Sequence, residues 1–259
     1  MEFIQPRAIH VAQTELDTNG LAEYLAAVGA PEWTTDAPTG SEALVEVLGR
    51  MCYRSFKPGL NPNVTKVRQG NEPYLANVEQ QRHGSLFEHA GDTYVLFNVS
   101  RVITHQLVRH RAGTGWAQES GHYVRVEGIK SWLPPVIAAN AEATALYQKT
   151  MEQLEATQLE LASILAVDDL PFYEKKRATT AMRRLVPDGI ATAIAMTANH
   201  RAWRWILQLR TERHNDEEVR IVMADVFRQQ AARYANFYGD AKVEMVDGIE
   251  EVTFGNEKI

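Results

Sequence analysis

The chain has 259 residues, a formal net charge of −6 and a single cysteine, Cys52. Its hydrophobic fraction of 45% is enough for one substantial core at this length, so we predict a single domain over residues 1–259. One cysteine excludes an internal disulfide bond and a zinc site built from cysteines. The acidic balance argues against nucleic-acid binding through a broad basic surface.

The sequence also carries features that bear on location. No apolar run approaches the roughly 20 residues that span a bilayer. The amino terminus lacks the basic start and apolar stretch of a signal peptide. We therefore expect a cytoplasmic protein without a membrane partner.

Hydrophobic periodicity predicts an α+β fold in which helices dominate around a few strands. Strands are predicted over residues 1–13, 93–99 and 190–197, with a further strand or hairpin inside 242–259. Helices are predicted over residues 20–28, 41–54, 74–81, 102–108, 139–165, 172–185 and 217–238, and after Asn199 as an N-cap. Cys52 falls on the second helix and is interpreted as a small core residue, because nothing near it in sequence would activate a nucleophile. Residues 56–73 are predicted to form a long loop, either a lid that closes over an anion or a plain surface loop.

Arg109, His110 and Arg111 form the most distinctive group in the sequence. They follow a run with helical apolar spacing, and Gly113 and Gly115 then interrupt that spacing, which predicts a helix end that leads into a loop. Two guanidiniums around an imidazole offer many hydrogen-bond donors in planar geometry, which suits phosphate or pyrophosphate. The alternative is a solvated basic helix end that interacts favourably with the helix dipole.

Arginines are concentrated in two stretches of this acidic chain, with four in residues 101–125 and eight in residues 177–220. This distribution favours a pocket for small anions, although surface arginines paired with carboxylates would look the same in sequence. No glycine-rich dinucleotide fingerprint follows a strand and no P-loop motif occurs, so side-chain cations would have to hold any pyrophosphate. No histidine–carboxylate pattern predicts a metal site.

The segment from Arg109 to Arg111, a spacer, and then Ser120, Gly121, His122 and Tyr123 resembles the signature of the flavin-dependent thymidylate synthases. Eight residues separate Arg111 from Ser120 where the family usually has seven, and His122 stands where the family usually has arginine. Three further blocks also resemble the family, and the resemblance spans about residues 42–238. These blocks run from His83 to His89, from Arg183 to Pro187, and from Asn199 to Arg204 with the later Arg210 and His214.

The resemblance implies a thymidylate synthase-complementing-like fold, with helices around a central mixed or antiparallel sheet. It also implies a flavoprotein methyltransferase that converts dUMP to dTMP, with FAD and NADPH as cofactors and 5,10-methylenetetrahydrofolate as carbon donor. The implied assembly is a homotetramer with active sites at subunit interfaces.

The resemblance assigns residues to three roles by family position. The implied uridylate contacts are Gln106, Arg109, Gln118, Ser120, Gly121, His122, Arg183 and Arg210. The implied flavin contacts are Ser55, His83, Ser85, Glu88, Arg109, His110, Arg111, Asn199 and Arg201. The implied catalytic residues are Arg210, Ser120 and His83. Arg210 would stabilise a developing enolate, and Ser120 is interpreted as a positioning hydroxyl because no adjacent base is identified for it.

Two alternatives remain open at this point. A relative that serves nucleoside-antibiotic or modified-nucleotide synthesis would methylate UMP as well as dUMP, or would leave a hydroxymethyl group, and the altered spacer before Ser120 favours this alternative. A helical protein that binds nucleotides or RNA without catalysis is the second alternative, and the acidic net charge counts against it.

Overall fold

The computed structural model describes residues 1–120 and 128–256. Its strands are β1 (Glu2–Phe3), β2 (Arg7–Gln13), β3 (Gly91–Ser100), β4 (Thr114–Gln118), β5 (Lys130–Ser131), β6 (Ala191–Asn199), β7 (Ala241–Val246) and β8 (Ile249–Phe254). Its α-helices are α1 (Thr18–Ala27), α2 (Gly40–Tyr53), α3 (Asn71–Gln80), α4 (Arg101–Leu107), α5 (Pro135–Ala138), α6 (Ala141–Ile164), α7 (Phe172–Met182), α8 (His200–Thr211), α9 (Glu217–Arg233) and α10 (Ala235–Tyr238). Short 3-10 helices cover Gly84–Glu88, Val167–Asp169 and Arg183–Leu185.

Four antiparallel strands in the order β2–β3–β6–β4 form the central sheet. Side chains along most of β3 and β6 alternate between buried and more accessible positions, so one face of the sheet points into the core. On that face Tyr94 and Met196 belong to the same apolar cluster as Trp203, Leu207 and Val222 of α8 and α9. The α+β fold with a central antiparallel sheet, predicted from the sequence, is confirmed.

The stretch that follows Arg111 is a strand and not the predicted loop. β4 pairs with β6 along its whole length without a register shift. The prediction of a loop rested on Gly113 and Gly115, which weaken a strand locally. It was wrong because backbone hydrogen bonds to a strand distant in sequence decide the conformation, and local composition does not report them.

Cys52 is exposed, so its assignment to the core was wrong. The buried side of α2 includes Val45 and Arg50, and Cys52 lies on the last turn next to the exposed Tyr53. The chain between α2 and α3 is irregular, as predicted, although α3 already begins at Asn71. Among the described helices, none has both the length and the apolar character needed to cross a bilayer.

The helix predicted over residues 217–238 is interrupted at Tyr234, which separates α9 from α10. The Tyr234 backbone leaves the helical region, with φ −126° and ψ 65°. Its hydroxyl donates to Asp92 Oδ1 at 2.7 Å, and both residues are buried. This hydrogen bond ties the end of α9 to β3, a contact that periodicity along one helix does not predict.

Two arginines of the arginine-rich stretch are buried and make structural contacts. Arg204 is 1% exposed, donates to both carboxylate oxygens of Asp240 at 2.7 and 2.8 Å, and places its guanidinium 4.1 Å from the Phe254 ring centroid. Arg220 is also buried and donates to backbone carbonyls, including that of Val246 at 2.7 Å. Both side chains attach helices to the β7–β8 hairpin, so an anion pocket does not account for the whole arginine-rich stretch.

We predict that Arg204→Leu lowers the free energy of unfolding by about 3–5 kcal/mol, because it leaves the Asp240 carboxylate partly buried without its cation. Denaturant unfolding of purified protein measures this change. Arg228→Ala is the matched control, since Arg228 forms a more exposed ion pair with Glu250, and it should leave the unfolding midpoint unchanged. Equal midpoints for Arg204→Leu and the unaltered protein would contradict the structural role.

Candidate functional site

An open cleft of about 640 Å³ lies where the turn after α4 meets the beginning of α8. Three arginines and one carboxylate give it a cationic lining. Its lining residues are Glu88, Arg109, His110, Arg111, Ala112, Gly113, Asn199, Arg201, Ala202, Trp205 and Ile206. Six of the sequence-predicted flavin contacts therefore converge here from three separate parts of the chain.

Asn199 and Gly113 determine how the Arg109–Arg111 turn lies against α8. The Asn199 side chain accepts from the Ala202 backbone N–H at 2.8 Å and caps α8, as predicted. The Asn199 backbone N–H donates to the Gly113 carbonyl at 3.1 Å. Gly113 has φ +68°, and a Cβ at this position would lie 2.6 Å from Asn199 Nδ2. Only glycine fits this close approach.

His110 and Arg210 are joined by a direct hydrogen bond. The Arg210 Nε–H donates to His110 Nε2 at 2.8 Å, which requires that this ring nitrogen carries no proton. Burial, and then the positive charge of Arg210, lower the pKa of His110 to about 4. The imidazole is therefore neutral at pH 7 and acts as an acceptor that orients a cation. Arg210 also donates to the carbonyl of Gln106 at 3.1 Å, which brings two predicted uridylate contacts together.

The carboxylate in the cleft is paired with a cation at its rim. Glu88, at the end of the Gly84–Glu88 helix, accepts a hydrogen bond from the Arg201 guanidinium. Both side chains are substantially exposed, so the pair is solvated and contributes little to stability. An exposed ion pair of this kind can rearrange when an anionic ligand enters.

A second cationic group lies beyond the other end of β4. Arg101 donates to the Glu119 carbonyl at 3.3 Å, and burial and then the nearby Arg183 guanidinium lower the pKa of Arg101. Ser120 follows Glu119 and is half-buried. Gln118, at the end of β4, donates to Thr104 Oγ1 of α4 at 3.2 Å.

The predicted uridylate contacts are therefore divided within one chain. Arg109 and Arg210 lie on the cleft side of β4, whereas Ser120 and Arg183 belong to the group at its far end. A five-residue strand spans roughly 16 Å, so a single small molecule does not reach both groups easily. Gly121 and His122 lie outside the described residues.

Three predicted flavin contacts, Ser55, His83 and Ser85, do not line the cleft among the described residues. Ser55 follows α2, and its backbone N–H donates to the Arg50 carbonyl at 3.0 Å. His83 precedes the Gly84–Glu88 helix and stacks on Tyr53, with ring centroids 6.1 Å apart. His83 and Ser85 lie at the opposite end of this short helix from Glu88.

Sequence reasoning missed two residues that the geometry brings to the site. Trp205 lines the cleft and is 53% exposed, which is unusual for a side chain with so much apolar surface. It lies four residues after Arg201, so helical periodicity alone could have placed both on one face of α8. Arg101 is one of the clustered arginines in the sequence, but its proximity to Arg183 has no local signal, because it depends on the tertiary fold.

Known proteins resemble this chain over most of its length. The sequence model of the family described as thymidylate synthase complementing protein matches residues 35–234. The flavin-dependent thymidylate synthase of Mycobacteroides abscessus is 35% identical over 225 residues, covering 85% of this chain and 87% of the relative. That of Mycobacterium tuberculosis (strain ATCC 25618 / H37Rv) is 34% identical over 237 residues, covering 89% of this chain and 91% of the relative.

Two solved structures share the fold at low sequence identity. The UMP/dUMP methylase PolB from Streptomyces cacaoi bound with 5-Br dUMP has a TM-score of 0.60 at 16% identity, covering 92% of this chain and 96% of that chain. Thymidylate Synthase X from Helicobacter pylori with FAD and dUMP has a TM-score of 0.54 at 16% identity, covering 91% of this chain and 98% of that chain. The family match over most of the chain and these relatives together show that the chain belongs to the flavin-dependent thymidylate synthase family of enzymes.

Proposed function

We propose that this protein methylates C5 of dUMP to give dTMP, with FAD and NADPH as cofactors and 5,10-methylenetetrahydrofolate as the carbon donor. Family membership supports the reaction class, and the bound FAD and dUMP of the Helicobacter pylori structure support the ligands. The observation that carries the proposal is the cleft in which Arg109, Arg111 and Arg201 converge beside the neutral His110.

The cleft residues fit a flavin dinucleotide. Its pyrophosphate requires cations or backbone donors, and the chain lacks both of the common glycine-rich loops for this purpose. Arg109, Arg111 and Arg201 supply planar donors that suit phosphate oxygens. Trp205 offers an exposed aromatic face for stacking of a flat ring system. When bound, the reduced flavin would supply hydride, so the chemistry would not require an activated cysteine.

The remaining work of the protein is to hold and polarise the uridylate. In this proposal Arg210 would donate to the O2/N3 edge of uracil and stabilise negative charge that develops there during attack from C5. Its hydrogen bonds to His110 and to the Gln106 carbonyl, which hold the guanidinium in one orientation, support this role. Its guanidinium retains its charge, since arginine stays protonated in proteins. The Arg101–Arg183 pair offers the donors and positive charge that a phosphate dianion requires.

The proposed assembly is a homotetramer with active sites between subunits, in the cytoplasm. Two features support it. The cleft and the Arg101–Arg183 pair lie at opposite ends of β4 in one chain, so a complete site would combine groups from two copies. The face of the central sheet opposite the core is open, with Ile9 36% and Phe97 37% exposed, and a second copy could cover it.

A related activity toward UMP, or one that leaves a hydroxymethyl group, is the second candidate. The eight residues between Arg111 and Ser120 favour it, because this spacer contains β4 and determines where Ser120 lies. The likeness to the UMP/dUMP methylase from Streptomyces cacaoi is one of fold, and it is compatible with either substrate. A non-catalytic RNA-binding role has no support in the family match or in the net charge of −6.

We predict that Arg201→Ala weakens FAD retention by about tenfold or more, because it removes a charged donor from the cleft. The ratio of flavin to protein absorbance after gel filtration measures occupancy, and the unaltered protein should be yellow. Arg228→Ala, which removes a surface arginine of α9, should retain flavin normally. Normal occupancy in Arg201→Ala would remove this residue from the flavin site, and a colourless parent protein would contradict FAD binding altogether.

Light scattering should give a mass about four times the 29.1 kDa of one chain. Phe97→Asp should shift this mass toward the monomer, since it places a charge on the open sheet face that a second copy would bury. It should also reduce turnover if the site combines two subunits. A monomer with full activity would refute the shared site.

The substrate is tested by single turnover of the reduced protein with methylenetetrahydrofolate and either dUMP or UMP, with products identified by mass. We expect methylated dUMP and at least about tenfold slower conversion of UMP, since a site that recognises the sugar discriminates by a few kcal/mol. Comparable conversion of both nucleotides would establish the second candidate. A product 16 Da heavier than the methylated nucleotide would identify a hydroxymethylase.

A further inference from the structure

Arg210 is held by three acceptors, and none of them carries a charge. Its Nε–H donates to His110 Nε2 at 2.8 Å, one terminal nitrogen donates to Asn215 Oδ1 at 3.2 Å, and the other donates to the Gln106 carbonyl at 3.1 Å. Every nitrogen of the guanidinium therefore has a partner, and the plane of the group is determined. Arg204 differs, since its two terminal nitrogens are bound to the Asp240 carboxylate.

Neutral acceptors orient a cation without neutralising it. A guanidinium has five N–H groups, and the three contacts leave one N–H on each terminal nitrogen for a ligand, as far as the described residues show. These two donors are suited to bidentate contact with one edge of a planar ring or with an anion. A carboxylate in place of any acceptor would compete with the ligand for the same charge.

Among these acceptors, Asn215 has a side chain that the end of α8 holds in one orientation. Its Nδ2 donates to the carbonyls of Leu209 at 2.7 Å and Glu212 at 3.1 Å, which lie in and just after the last turn. These carbonyls need donors because a helix end leaves them without intrahelical partners. The amide nitrogen is thereby directed toward the helix and the amide oxygen toward Arg210, since the reverse orientation would place two sets of donors against each other.

We propose that Asn215 is a positioning residue that orients the Arg210 guanidinium for contact with the uracil ring, an inference that rests on the proposed function. Nothing in the sequence pattern singled out Asn215, which lies in the short connection between α8 and α9. The alternative is that Asn215 only caps α8, in which case its oxygen would be dispensable.

A double-mutant cycle on the purified holoenzyme separates the two roles. Asn215→Ala should raise the dUMP dissociation constant by about tenfold and lower kcat, because the guanidinium loses one of its charge-assisted contacts. In the Arg210→Ala background the same change should alter the dissociation constant by less than about twofold. An equal effect in both backgrounds would show that Asn215 does not act through Arg210.

Asp216→Ala is the matched control for a lost cap. Asp216 caps α9 by accepting from the Glu218 backbone N–H at 3.0 Å, and it adjoins Asn215. This variant should lose comparable stability, yet its dUMP affinity and kcat should stay within about twofold of the parent. If Asp216→Ala weakens dUMP binding as much as Asn215→Ala does, a general loss of stability explains both effects and the inference fails.

A ligand-independent measurement distinguishes failure of this inference from failure of the proposed function. Burial and then the positive charge of Arg210 lower the pKa of His110, so a guanidinium that turns away in Asn215→Ala should let this pKa rise, as followed by NMR titration. Asp216→Ala should leave it unchanged. If the parent binds no dUMP, the proposed function is wrong, and the His110 titration still decides whether Asn215 positions Arg210. An unchanged His110 pKa in Asn215→Ala would overturn the inference.

Discussion

Asn199 is the residue on which the geometry of the site depends. Its side chain caps α8, while its backbone N–H donates to the carbonyl of Gly113. It also pairs with Gly91 at the end of the β3–β6 strand pair. The backbone N–H of the next residue, His200, donates to the carbonyl of Ala90. One residue thus connects two strands, the turn that carries Arg109–Arg111, and the helix that carries Arg201 and Arg210. The two cationic segments meet because strand pairing and helix capping coincide at this point.

The hydrogen-bond partners of an arginine, more than its position in the sequence, distinguish a structural arginine from one that can bind a ligand. Arg204 and Arg220 are buried, with Arg204 matched to a carboxylate and Arg220 to backbone carbonyls. Arg210, held by an imidazole, an amide and a carbonyl, keeps its charge in a half-buried position. An acidic chain can therefore present a cationic site, because buried arginines such as Arg204 take up carboxylates in the scaffold while Arg210 is held by uncharged acceptors.

Local physics predicted most of the helices, the α8 N-cap at Asn199, and the two central strands, since apolar spacing and capping residues act over a few neighbours. It failed for β4, whose conformation depends on pairing with β6, and for Cys52, where the boundary of the buried face lies within one helical turn. It also could not separate Arg204 from Arg210 on the same helix. That distinction requires the carboxylate of Asp240, which lies 36 residues from Arg204 in sequence.

The eight residues between Arg111 and Ser120 include β4, and the pairing of β4 with β6 constrains them. β4 pairs with β6 without a shift, and the Glu119 backbone N–H continues the contact by donating to the Ala193 carbonyl at 3.0 Å. An additional residue inside such a ladder would turn every later side chain to the opposite face. Because the regular pairing runs from Thr114 through Glu119, the turn at Gly113 is the place within the spacer that can accommodate it. Accommodation at Gly113 would keep the chain up to Ser120 in register with β6. If the Arg101–Arg183 pair holds the nucleotide phosphate as proposed, the length of this spacer determines where Ser120 lies relative to that phosphate.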